Sequence, residues 1–175
     1  MNIRDFCKKY RACADGYERN KHFKDMQDFF ENSEQYDDVI WATCQVLNEK
    51  DRIRFACWCV RQIWHLLKDK RSRKVIEVAE AYCEDKATKE ELMIARSAAY
   101  YAAYADSDAY AAAAAYYAAH AAAYAAYDTV CAANAAAYAV AYAAHAANDA
   151  ANAAARKAQV TYLRENFKPD WEKIY

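Results

Sequence analysis

From Tyr117 to Arg156 the residues able to stack or hydrogen-bond return at every third or fourth position: Tyr117, His120, Tyr124, Tyr127, Cys131, Asn134, Tyr138, Tyr142, His145, Asp149, Asn152 and Arg156. A mean step near 3.5 keeps such side chains on one face of a helix. Tyrosine rings offer flat stacking faces, and neutral histidine and asparagine offer donors and acceptors, a combination that suits a nucleobase and ribose. On this reading Tyr104, Tyr117, Tyr124, Tyr138 and Tyr142 stack on the ligand, while His120, His145 and Asn134 hydrogen-bond to it. A phosphate needs cations, and Lys68, Lys70, Arg71, Arg73 and Lys74 crowd the start of a predicted helix. Arg71 is the residue expected to meet it, because a helix N-terminus favours anions and the guanidinium fork matches phosphate. Two other readings stay open. The stripe also suits a wet core of tyrosines between thin helices, or an aromatic surface turned toward another protein.

Catalytic and metal chemistry find less support. Cys57 and Cys59 stand two apart, which sends their thiols to different helix faces, and His22, His65, His120 and His145 are isolated in sequence. No Gly-x-Ser-x-Gly, phosphate loop or Ser/His/Asp spacing occurs. Cleavage of a bound ligand by His120 or His145 is a remaining alternative. The expectation is a protein with no catalytic residues, metal or cofactor.

The stripe must ride on alanine. Of the 58 positions from Ala98 to Ala155, 34 are alanine and ten are tyrosine, with no glycine, proline, lysine or arginine among them. Alanine has the highest helix propensity, so this region is predicted helical. One straight helix from Thr88 to Phe167 would run ~120 Å, whereas a domain of this size is about 40 Å across. The chain must fold back, and Asp106, Asp128 and Asn148-Asp149 are the expected breaks. Upstream, six amphipathic helices are predicted. The first runs from an Asn2 cap to about Ala14 and is stopped by Gly16; the others cover roughly 21–31, 36–47, a segment capped by Asp51, a segment after Lys70, and one opened by Thr88. Thr88 and Glu91 fit a capping box. Trp41, Trp58 and Trp64, with Cys44, Cys57, Cys59 and Cys131, are expected in the core.

Composition narrows the function classes. At 175 residues and a formal net charge of −1, the chain suits one domain and lacks the basic excess of a nucleic-acid binder. Seven cysteines without framework spacing read as reduced cytoplasmic thiols. A charged start (Met1-Asn2-Ile3-Arg4-Asp5) does not read as a signal peptide, and no run is apolar for long enough to span a membrane.

Four segments together carry a family resemblance: Ala12-Cys13-Ala14-Asp15-Gly16, Ile40-Trp41-Ala42, Arg71-Ser72-Arg73-Lys74-Val75-Ile76-Glu77-Val78-Ala79, and the alanine region itself. In these the chain resembles small immunity proteins encoded in phage and bacterial genomes, which end in an alanine-rich helical half with periodic aromatic residues. The resemblance implies a non-catalytic role in microbial conflict. The full expectation is one all-α domain over 1–175, a multi-helix bundle divided into amphipathic helices (1–97), Ala/Tyr-rich helices (98–167) and a tail (168–175). It would sequester a small nucleotide-type immune signal or, alternatively, neutralise a toxin or effector protein by direct contact. Because alanine buries little apolar area, a homo-oligomer with Ala/Tyr helices at its interface is expected.

Overall fold

The computed structural model describes residues 1–67, 69–105 and 149–172. Among these the protein is all-α, with no strand. Its helices are α1 (Ile3–Lys9), α2 (Ala14–Asn20), α3 (Met26–Asn32), α4 (Tyr36–Val46), α5 (Glu49–Gln62), α6 (Lys70–Cys83), α7 (Lys89–Ala105) and α8 (Asp149–Asn166), with a 3-10 turn at Trp64–Leu66. The predicted breaks at Asp106, Asp128 and Asn148 lie outside the described residues.

Helix starts follow side-chain capping. The Asn2 side chain accepts from the Asp5 amide at 2.9 Å. The Thr88 hydroxyl accepts from the Glu91 amide at 3.1 Å and the Glu91 carboxylate accepts from the Thr88 amide at 2.7 Å, so the predicted box forms. Asn48, not Asp51, caps α5: its side-chain oxygen takes the Asp51 amide at 2.9 Å, which starts the helix earlier than expected.

The first predicted helix is two. Gly16 does not stop it; Gly16 lies inside α2. The break falls at Arg11, whose φ of 53° is left-handed, and the Ala12 amide returns to the Cys7 carbonyl at 2.9 Å. The same closure ends α6, with Asp85 at φ 59° and the Lys86 amide on the Ala81 carbonyl at 2.8 Å. Both are Schellman-type ends built without glycine. Helix α3 also begins later than predicted, because residues 21–25 form turns and the Asp25 carboxylate caps Gln27 and Asp28.

The core is continuous. Helices α5, α6 and α7 pack in succession, α8 lies against α4, and α1 and α3 flank α2 and α4 respectively. Val39, Ile40, Cys44, Ile53, Phe55, Val60, Val75, Ile76 and Leu92 are buried, as the amphipathic pattern requires. Trp41, Trp58 and Trp64 are only half-buried and line the edge of this core. Trp58 stacks on Tyr162 at 4.2 Å, joining α5 to α8. The final described residues are not a loose tail. Trp171 is buried between Phe6 and Phe30 and donates its indole N–H to the Gln27 side chain at 2.9 Å.

Candidate functional site

Most of the expected ligand-binding residues, Tyr117, His120, Tyr124, Asn134, Tyr138, Tyr142 and His145, lie outside the described residues. Tyr104 falls in α7. The stripe does enter the described part of the fold, at α8. Arg156 donates from Nε to Asp37 at 2.9 Å and its side chain is only 12% exposed. One step further along the same face, Gln159 and Leu163 are fully buried. This end of the stripe therefore faces inward, onto α4.

Asn152, Ala153 and Arg156 of α8 meet Arg19, Gln35, Tyr36, Asp37 and Asp38 around a cleft of about 480 Å³. Glu34 lines it as well, and two of its acids are matched by arginines across helices. Arg19 forks onto Asp38 at 2.9 and 3.0 Å, and Arg156 takes Asp37. The Asn152 side-chain oxygen is buried with no hydrogen-bond partner. A buried acceptor in that state costs roughly 1–3 kcal/mol, so the cleft suits a molecule that brings a donor.

Arg71 sits elsewhere, at the start of α6. Its guanidinium holds Asp69 at 2.8 and 3.2 Å, and this ion pair keeps the Asp69 carboxyl below the usual carboxylate range. A phosphate would have to displace Asp69 to use it. Arg73, two residues on, is structural: it donates to the Leu67 carbonyl at 2.5 Å and lies over the Trp64 ring at 5.7 Å.

A second space opens at the N-terminal end, between α1, α2, α3 and α4. It holds about 340 Å³ and is walled by Phe6, Met26, Phe29 and Trp41, with Asn20, Gly16 and Asp38 on its polar side. It adjoins the first cleft through Asp37 and Asp38, which line both. The chain matches no family model, no curated protein and no solved structure. The reading of these spaces rests on their own chemistry.

That chemistry is not nucleophilic in the described core. Burial pushes the Cys44 thiol up to about 12 and the Cys83 thiol up to about 11, and it raises Cys57 and Cys59 as well. A thiol held protonated does not attack. Among the described residues no three histidine, cysteine or acidic side chains gather as a metal site, and no helix is long and apolar enough to cross a membrane.

Asn20 and Asp38 carry no signal of their own in the sequence, whereas Asn152 belongs to the stripe. Asparagine is common at helix ends, and nothing in the chain marks Asn20 or Asp38 as turned toward a cavity. The one available signal was Gly16, the only glycine, which the sequence reading spent on a helix stop.

Proposed function

We propose that this protein is a non-enzymatic binding protein of microbial conflict that sequesters a small nucleotide-type ligand, the Tyr/His/Asn stripe supplying its stacking and hydrogen-bonding groups. The observation that carries this reading is the inward turn of the stripe at α8. Asn152 and Arg156 line a cleft there, and the unpartnered Asn152 oxygen waits for a donor. An outward-facing stripe would have favoured a protein surface instead. The place in microbial conflict, and in a cytoplasm, comes from the motif resemblance and the unpaired cysteines.

The test is thermal unfolding of the whole chain with cyclic and ADP-ribose nucleotides. A ligand at 100 times its Kd stabilises by about 2.7 kcal/mol, which for a chain of this size raises Tm by roughly 5–10 °C. Tyr124→Ala with Tyr138→Ala should abolish the rise. No shift with any nucleotide rejects the proposal.

One observation favours the alternative of an immunity protein that neutralises a toxin or effector by contact. Met93 and Ile94, adjacent on α7, are 48% and 72% exposed. On that reading the pair would anchor a protein partner. Substitution Ile94→Asp would then break capture of the toxin while leaving nucleotide binding unmoved.

A further inference from the structure

The single glycine of this chain stands where neither backbone nor packing asks for one. Gly16 lies inside α2, and its φ is not positive. A Cβ built on it would meet the Cys13 sulfur at 3.4 Å and the Arg19 guanidinium at 3.9 Å, both ordinary contacts. Glycine is among the worst helix formers, so something other than local geometry keeps a side chain away. What Gly16 borders is the N-terminal cavity of about 340 Å³.

Asn20, one turn later on α2, borders the same cavity and is 5% exposed. Its amide orientation is fixed, because Nδ2 donates to the Gly16 carbonyl at 2.9 Å and to the Asp38 carboxylate at 2.7 Å. Both partners accept only, so nitrogen and oxygen cannot be exchanged. That leaves Oδ1 as a buried acceptor with no partner. The opposite walls are the rings of Phe6, Phe29 and Trp41. Charge does not call for a cation here: Asp38 is matched by Arg19 and Asp37 by Arg156, and Arg11 of the lining is itself a cation. Burial also raises the Cys7 thiol, which keeps that wall neutral.

We propose that this cavity is a second binding site, separate from the stripe cleft, for one nucleobase carrying an exocyclic amino group. The ring lies against Trp41 and Phe6, and the amino N–H donates to Asn20 Oδ1. The volume is near the low end for ligand pockets, so it takes a base or nucleoside and not a dinucleotide. Gly16 keeps the entrance open. This proposal does not depend on the stripe as a nucleotide site.

Ligand-observed NMR and calorimetry on the full chain test it with adenosine, guanosine and cytidine, against purine riboside, which lacks the amino group. At least one amino-bearing nucleoside should bind, and purine riboside should bind roughly tenfold more weakly than adenosine if adenosine is the ligand. Gly16→Leu fills the cavity from α2 and Ala12→Leu fills it from the preceding turn. Each should abolish binding while Tm stays level or rises, and two separate plugs guard against misfolding of either. Failure of all three nucleosides, or unchanged affinity in a folded Gly16→Leu protein, overturns the proposal.

Discussion

Arg164 bridges two elements far apart in sequence. From the last turns of α8 it donates to the Phe30 carbonyl at 2.6 Å and the Ser33 carbonyl at 2.8 Å, tying the C-terminal helix to the end of α3. Burial lowers its pKa, yet its guanidinium satisfies two carbonyls at the end of α3 that the helix itself leaves without a donor. Arg164→Ala should cost about 2–3 kcal/mol, read as a lower urea midpoint with unchanged slope. The buried thiols make a second prediction. An ordinary thiol ionises near 9.0, whereas Cys83 is pushed up to about 11 and Cys44 up to about 12. The folded state keeps protons that the unfolded chain releases, so these thiols leave stability intact below pH 9 and erode it as pH rises toward 11 and 12. Tm should fall across that range, and at neutral pH a thiol reagent should label exposed Cys13 while Cys44 and Cys59 react only on unfolding. At this scale the sequence was legible where burial follows period: Val39, Ile40, Cys44 and Ile53 lie where the pattern put them. It was opaque for Trp171, which the charged neighbours Lys168, Asp170, Glu172 and Lys173 disguise as tail, and for Asn20, whose role comes from contacts across helices.

Helix ends were readable when the cap is local and unreadable when it is conformational. Thr88 with Glu91 is a pattern of two side chains three apart, and it forms as expected. The ends of α1 and α6 instead use a left-handed Arg11 and Asp85, and no residue type announces that. With glycine so scarce, the absent turn residues made Gly16 look like a stop, and a helix boundary moved with it. Left-handed backbone costs an ordinary L-residue roughly 1–2 kcal/mol and glycine almost none. Asp85→Gly should therefore stabilise the protein by about 1 kcal/mol, after loss of the ion pair with Lys50 is included, because an exposed pair contributes little. Chemical denaturation measures it. A destabilised Asp85→Gly protein would mean that the α6 end is held by the carboxylate rather than by its backbone.

The described helices share one continuous core, while the sequence between Ala105 and Asp149 offers mostly methyl groups for packing. Methyl groups bury little area each, so such a stretch is expected to need covering by something else. A second copy is the covering proposed for it, so light scattering at micromolar concentration should give at least twice the 20.0 kDa chain mass; a clean monomer refutes it. The central claim, though, is that a small nucleotide-type ligand occupies the space this chain encloses. Calorimetric titration of the whole chain with cyclic and ADP-ribose nucleotides tests that claim most directly. It should give saturable heat for at least one of them, lost when Tyr124 and Tyr138 are both changed to alanine; flat titrations across the set, from protein shown to be folded, would contradict it.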